Sequence, residues 1–192
     1  MPPKNKVTKS EIVSAALELV RAEGPEALRA RSVAACLGVS TQPIFSHYAS
    51  MEVLRADVIA AASEEYEACI REEMAAMHYP AYKASGMAYI QFARQQRELF
   101  KLLFMRDRSE EADRNDTRSI EPLLELLQRN VGLTREAALL FHMEMWAFVH
   151  GLAVMIATNY LELGQEQISS MVSDMYWGLR VRFEKENADE CH

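Results

Sequence analysis

The stretch from Ser32 to Tyr48, SVAACLGVSTQPIFSHY, decides the fold of this chain. It predicts two short helices joined by a tight turn, because Gly38 suits the positive φ angle that such a turn needs. Ala34 is small enough to let the two helices cross closely. The apolar residues that hold the pair together are Val33, Leu37, Val39 and Ile44. This pattern is typical of a DNA-binding helix-turn-helix.

Pro43 indicates where the second helix begins. Inside a helix, proline costs roughly 3 kcal/mol, since it loses a hydrogen bond and clashes with the carbonyl four residues back. Neither cost arises in the first turn, where the amide has no helical partner. We therefore expect Ser40 to be the N-cap of this helix and to bond the amide of Gln42.

Helices are also predicted on both sides of the motif. Residues 10–24 form one amphipathic helix, which Gly24 and Pro25 end. Its apolar side carries Ile12, Ala16, Leu19 and Val20. A further helix is predicted to open at Met51, with Ser50 as its N-cap.

The stretch from Thr8 to Val58 resembles the N-terminal domain of the TetR family of transcriptional regulators. The matching residues are Ala15, Ala16, Leu17, Gly24, Arg31, Val33, Ala34, Leu37, Gly38, Val39, Ser40, Ile44, Phe45, His47, Tyr48, Glu52 and Leu54. The family usually has Tyr in place of Phe45 and Lys in place of Met51, and both commonly touch phosphates. Arg29 stands where Thr is common and offers a cation instead.

Candidate DNA contacts follow from this placement. Polar residues on or near the outward side of the second helix are candidates for touching bases, and these are Thr41, Gln42, Ser46 and His47, with Pro43 beside them. Gln suits adenine edges. The candidates for phosphate contacts are Lys9, Arg29, Arg31 and Tyr48. The plain alternative is a solvated side chain or, for Tyr48, a ring packed under the helix. Lys4 and Lys6 could enter the minor groove, although an unstructured terminus is the ordinary interpretation.

Composition and charge fit a globular cytoplasmic protein. The 192 residues carry a net charge of −7, which argues against nonspecific nucleic-acid binding by the whole surface. Residues 1–50 contain six Lys or Arg and four Glu, so they carry +2 and the rest carries −9. The three cysteines, Cys36, Cys69 and Cys191, have no metal-binding spacing and are expected to be reduced thiols. We expect no signal peptide, membrane segment, metal or cofactor.

Nearly everything beyond Tyr48 is predicted to be helical, giving an all-α fold of about nine helices. The predicted helices span residues 51–77, 82–95, 98–105, 122–131, 134–163 and 165–186, with a charged loop at 106–117. The helix at 134–163 is apolar on almost every side, which predicts burial against a partner subunit. The last two helices and their copies would then form a four-helix bundle. The predicted interface residues are Val149, Ala153, Ile156, Ile168, Met171, Val172, Met175 and Leu179.

The resemblance also implies the organisation of the chain. Residues 1–50 would be a three-helix DNA-binding domain, and residues 51–192 an antiparallel helical bundle for effector binding and dimerisation. Trp146, His150 and Gly151 resemble a Trp-x-x-x-His-Gly pattern of one C-terminal regulatory subfamily. A pocket for an apolar effector is implied, with Tyr66, Met87, Phe100, Phe104, Phe141, Met145, Trp146 and His150 as candidate lining residues. Each of these can equally be plain core, and His142 and His150 can be structural.

An enzyme is not expected, because the chain lacks a metal-binding His-Glu spacing, a nucleophile elbow and a phosphate-binding glycine loop. The resemblance implies a ligand-responsive repressor that binds a palindromic operator on double-stranded DNA as a homodimer. The alternative is a helical homodimer that senses a small molecule but binds DNA weakly or not at all. Phe45 and Met51 motivate this alternative.

Overall fold

A computed structural model describes residues 7–109 and 120–190 of the chain. Within these residues every regular element is helical, which confirms the all-α prediction. The α-helices are α1 (Lys9–Glu23), α2 (Ala30–Cys36), α3 (Gln42–His47), α4 (Met51–Ala76), α5 (Ala81–Gln95), α6 (Arg97–Phe104), α7 (Glu121–Val131), α8 (Arg135–Ala157) and α9 (Gln165–Glu190). Lys4, Lys6, Cys191 and most of the predicted loop at 106–117 lie outside the described residues.

Helix α1 begins with a reciprocal cap, one residue earlier than predicted. The Thr8 hydroxyl accepts from the Glu11 amide at 3.2 Å, and the Glu11 carboxylate accepts from the Thr8 amide at 2.7 Å. The helix ends at Gly24, whose φ is 91°. This positive φ angle favours glycine, whereas the nearest atom to an added Cβ would be the end of the flexible Glu98 side chain, 2.9 Å away.

Helices α2 and α3 form the predicted helix-turn-helix. Gly38 has a φ of 67°, and Ile44 anchors α3 through a fully buried side chain. Pro43 lies in the first turn as expected, but Ser40 is not the N-cap. Thr41 takes that position with helical backbone angles and makes no capping bond through its side chain. The predicted cap is wrong because α3 begins at Gln42, one residue later than a cap at Ser40 requires.

The C-terminal helices follow the sequence signals except at the end of α8. Pro122 lies in the first turn of α7, and the Thr134 hydroxyl accepts from the Ala137 amide at the start of α8. Helix α8 ends at Ala157 and not near residue 163. The Thr158 hydroxyl donates to a carbonyl of the last turn at 2.8 Å, and Asn159 adopts a φ of 57°, a left-handed angle that stops a helix.

The chain divides into two compact units. The first comprises residues up to 68 together with 95–106, and the second comprises 69–94 and the residues from 107 onward. In the first unit α1 packs against α2 and α6, and in the second unit α8 packs against α7 and α9. The expected functional boundary after residue 50 stays a prediction, because these units follow packing and not function.

Helix α8 is long and apolar enough to cross a membrane by length and composition alone, although uninterrupted apolar runs predicted no such segment. In the described part of the chain it is the one helix with this property. The core helix of a soluble protein has the same composition, and α8 packs on two neighbouring helices.

Candidate functional site

The outward side of α3 is an open surface built on a buried anchor. Ile44 faces inward without exposure, whereas Gln42, Phe45, Ser46 and His47 are exposed. Thr41 and Pro43 are half-buried beside them. The structure thus brings the residues predicted to touch bases together on one short helix. The Phe45 ring, 52% exposed, belongs to the same surface.

Two of the residues predicted to contact bases already form hydrogen bonds to backbone carbonyls of the protein. The Ser46 hydroxyl donates to the Gln42 carbonyl at 2.9 Å. The His47 Nε2 atom lies 2.8 Å from the Val7 carbonyl, which can only accept, so we place a proton on Nε2. His47 therefore holds the start of the described chain against the end of α3, while the Gln42 side chain remains open to a ligand.

Tyr48, Lys9 and Asp57 form a compact cluster behind α3. Tyr48 is 1% exposed, and its hydroxyl donates to the Asp57 carboxylate at 3.0 Å. Lys9 Nζ lies 2.7 Å from the same carboxylate oxygen and 5.1 Å from the centre of the Tyr48 ring. The prediction that Tyr48 contacts phosphate is therefore wrong, because the ring is packed under the helix. Lys9 remains exposed but is already paired.

The charges in this cluster support one another. The hydrogen bonds from Lys9 and then Tyr48 lower the pKa of Asp57. Burial, followed by the bond to Asp57, raises the pKa of the Tyr48 hydroxyl, which therefore stays protonated and donates. The cluster connects α1, the end of α3 and α4, so it positions the recognition surface without belonging to it.

Tyr48→Phe is expected to lower the free energy of unfolding by about 1 kcal/mol, since it removes one hydrogen bond to a partly exposed carboxylate and keeps the ring. Urea unfolding measures the loss. The effect should be largest above the ordinary carboxyl pKa of about 4, where Asp57 is ionised. It should shrink as the pH falls and Asp57 becomes protonated. Tyr160→Phe, at an exposed position, is the control and should change nothing. A Tyr48→Phe protein as stable as the parent at pH 7 would disprove the bond's contribution.

Arg29 and Arg31 are the available cations of the motif. Arg29 immediately precedes α2, Arg31 lies in its first turn, and both side chains are exposed. Among the side chains described at residues 7–109 and 120–185, neither guanidinium has an ion-pair or hydrogen-bond partner. Arg21 is different, because its guanidinium donates to both Glu65 carboxylate oxygens at 3.0 Å. Arg29 and Arg31 can therefore reach phosphates without first breaking a salt bridge.

Comparison with known proteins identifies the family. A model described as the tetracyclin repressor-like, C-terminal domain matches residues 82–175, which contain α5 to α8 and part of α9. This chain belongs to the TetR family. None of the curated proteins matches the sequence.

Two solved structures share the architecture of this TetR-family chain. One is a TetR-like transcriptional regulator from Rhodococcus sp. RHA1, with a TM-score of 0.65 and 14% identity over 91% of this chain and 96% of that one. The other, from Pseudomonas aeruginosa PAO1, is designated a transcriptional regulator and has a TM-score of 0.66 and 19% identity over 93% and 92%. At these identities the likeness establishes the fold.

The residues predicted to line an effector pocket divide between the two units of this TetR-family chain. In the first unit, the Phe104 ring lies 5.1 Å from Tyr66 and 5.2 Å from Phe100, centroid to centroid. In the second unit, Met87, Phe141 and Met145 are buried, while Trp146 is exposed and stacks on His150 at 4.9 Å. Four of the eight side chains, Met87, Phe100, Phe141 and Met145, are buried in the cores, and an effector pocket stays a prediction.

Two tyrosine-histidine pairs join α5 to α8. Tyr82 Oη lies 3.1 Å from His142 Nδ1, and Tyr89 Oη lies 2.8 Å from His150 Nδ1. Burial lowers the pKa of both imidazoles, which are therefore neutral at pH 7. Each Nδ1 atom can then accept a hydrogen bond from the tyrosine hydroxyl. These contacts fit a structural role for both histidines.

The residues predicted to face a partner subunit are mostly in the chain's own core. Val149, Ala153, Ile156, Ile168, Val172 and Leu179 are at most 6% exposed, and Met171 and Met175 are half-buried. The same two helices expose a different apolar set, namely Leu140, Met143, Trp146, Trp177 and Val181. This corrects the predicted surface, because the cleanest apolar stripes of α8 and α9 pack within their own subunit.

Side chains able to bind a metal do not cluster in the described part of the chain. No group of three His, Cys, Asp or Glu residues lies close enough there to hold an ion. Cys36 and Cys69 are free thiols. Burial, with Glu72 and Glu73 nearby, raises the pKa of Cys69 and makes its thiol less reactive at neutral pH.

Proposed function

We propose that this protein is a ligand-responsive transcriptional repressor in the cytoplasm that binds a palindromic operator as a homodimer. The observation that carries the proposal is the open surface of α3, which projects Gln42 from a helix anchored by buried Ile44. The coarser statement, that the chain is a TetR-like regulator, rests on its family. Nothing in the proposal requires a catalytic step, a metal or a cofactor.

Helix α3 would enter the major groove as the second helix of the motif. Gln42 would read an adenine edge through two hydrogen bonds, with Thr41 and Pro43 beside it. Arg29 and Arg31 would contact phosphates, since both are exposed and lack a partner among the described side chains. In a homodimer the two recognition helices would occupy major grooves about 34–36 Å apart.

Dimerisation would use the apolar side chains that α8 and α9 leave exposed. Leu140 and Met143 lie on α8, and Trp177 and Val181 lie on α9. A two-fold axis would bring each helix against a copy, so the same patch serves both subunits. Such a four-helix bundle would cover apolar area that one chain alone leaves in water.

An apolar effector would regulate this dimer through its C-terminal region. Helix α4 begins in the first compact unit and ends in the second. It could therefore transmit a change caused by effector binding in the second unit to the DNA-binding helices of the first. Rotation of α4 would change the spacing of the two α3 helices and weaken operator binding. Coupling of this kind is typically ~1–3 kcal/mol.

A second candidate is a ligand-sensing dimer with weak DNA binding. The exposed Phe45 ring favours it, since this side chain lacks the hydroxyl that the family commonly places against a phosphate. Salt-sensitive retention on DNA separates the two candidates, because the second requires none.

Gln42→Ala and Arg31→Ala are expected to damage DNA binding in different ways. The first should lose roughly 10- to 100-fold of discrimination at one base pair in each half-site. The second should weaken binding to all sequences alike and reduce the salt slope by about one for each phosphate that Arg31 neutralises in the parent. Binding curves over a salt series, on the selected operator and its single-base variants, measure both effects.

Matched exposed residues outside the motif provide the controls. Gln95→Ala and Arg97→Ala change the same side-chain types at exposed positions and should bind as the parent does. If Gln42→Ala and Arg31→Ala are indistinguishable from these controls on every DNA, the docking geometry is wrong.

A further inference from the structure

Phe45 presents an exposed aromatic ring on the recognition helix α3. Its side chain is 52% exposed, although hydrocarbon of this size is ordinarily buried. Neighbouring Ser46 turns its hydroxyl back to the Gln42 carbonyl. His47, also exposed, has its Nε2 atom 2.8 Å from the Val7 carbonyl, so the Gln42 amide and the Phe45 ring are the α3 groups that remain open for a ligand.

The chemistry of this ring limits what it can bind in a DNA groove. Phe has no hydrogen-bonding group, so it gains nothing directional from a phosphate or from a base donor or acceptor. Among the base edges exposed in the major groove, the apolar group is the C5-methyl of thymine. Removing that methyl and part of the ring from water is the favourable contact open to Phe45.

The spacing along α3 indicates which thymine the ring would meet. Residues three apart lie on the same side of a helix, about 4.5 Å apart along its axis. Successive base pairs are separated by about 3.4 Å. Side chains at positions 42 and 45 can therefore address neighbouring base pairs.

We propose that Phe45 is a specificity-determining residue that contacts a thymine C5-methyl one base pair from the base read by Gln42. This inference rests on the proposed function, because it requires α3 to enter the major groove. Phe45 would thus make a favourable contact with DNA. Where the family usually has Tyr, the Phe at position 45 would then change which base is preferred.

Replacing thymine by deoxyuridine tests the contact, because it removes the methyl and keeps base pairing. An operator is first selected from random duplexes with the full-length protein, and each thymine is then replaced singly in both half-sites. The parent protein should lose roughly fourfold in affinity per half-site at one position, the effect of one methyl leaving an apolar contact. Phe45→Ala should bind the thymine and deoxyuridine duplexes equally at that position.

Val53→Ala is the matched control, since Val53 is an exposed apolar residue outside α3 and should retain the parent's methyl preference. Uniform binding of all substituted duplexes by the parent would overturn the proposal. So would a Phe45→Ala variant that keeps the same methyl preference. Failure to select any operator is a separate result, which rejects the proposed function and this contact with it.

Discussion

Trp177→Glu is expected to convert the proposed homodimer into monomers and to lower its affinity for the proposed operator by 100-fold or more. Trp177 is 54% exposed on α9, one turn before exposed Val181. Tryptophan is enriched among interface residues whose truncation weakens binding by about 2 kcal/mol or more. In a two-fold interface each substitution is present in both subunits, so its cost is incurred twice. The new carboxylate would also be buried against its copy. Losing the link between two half-sites alone removes a factor of roughly 10²–10⁴.

Sedimentation equilibrium and operator titration measure the two parts of this prediction. Tyr160→Glu is the control, because Tyr160 is a more exposed aromatic residue that lies outside α8 and α9. It should leave the protein dimeric. A Trp177→Glu protein that remains a dimer at micromolar concentration, with parental affinity, would place the interface elsewhere.

Phe141→Ala is expected to lower the free energy of unfolding by about 3–5 kcal/mol, the usual cost of emptying a well-packed aromatic site. Phe141 is fully buried, and its ring lies 5.5 Å from Tyr176 and 5.4 Å from Phe183. It is also among the residues predicted to line an effector pocket. A large loss of stability would show that Phe141 is packed in the core. Truncating a side chain that lines an already open pocket creates little new cavity and should cost much less.

Denaturant unfolding at one fixed protein concentration measures this loss, since the stability of a dimer depends on concentration. Tyr160→Ala truncates an exposed aromatic residue outside the proposed interface and should alter the free energy of unfolding by no more than about 0.5 kcal/mol. Equal stability of the Phe141→Ala and Tyr160→Ala proteins would contradict the core assignment.

The helix-turn-helix was predictable because its signals are local. Gly38 supplies the positive φ angle of the turn, and Pro43 fits only the first turn of α3. The end of α8 was not predictable in this way, because apolar residues continue past Ala157 to Leu163. What stops the helix is the backbone at Thr158 and Asn159, and neither residue type forbids a helix.

The side of α8 that faces the core of its own subunit could not be predicted from the sequence for a related reason. When a helix is apolar on nearly all sides, periodicity cannot separate an inner stripe from an outer one. Phe141 and Val149 face the core, while Leu140 and Met143 do not, although all four suit either place. Only the packing of α5, α7 and α9 against α8 makes the distinction.

In the candidate site, the exposed position of Gln42 was predictable, but the partner of Tyr48 was not. Asp57 lies nine residues further on, in the next helix, so no motif within α3 reveals it. The sequence does hold one signal, since Asp57 adjoins the buried stripe formed by Leu54 and Val58. The buried phenol of Tyr48 needs an acceptor, and the Asp57 carboxylate supplies it.

Binding of the full-length protein to a palindromic duplex selected from random DNA, compared with unselected duplex over a salt series, tests the proposed operator recognition most directly. We predict one dimer per duplex, an affinity at least 10³-fold higher than for unselected DNA, and a linear fall of log affinity with log salt. Equal binding to both duplexes, or no binding at low salt, would contradict operator recognition and favour the ligand-sensing dimer.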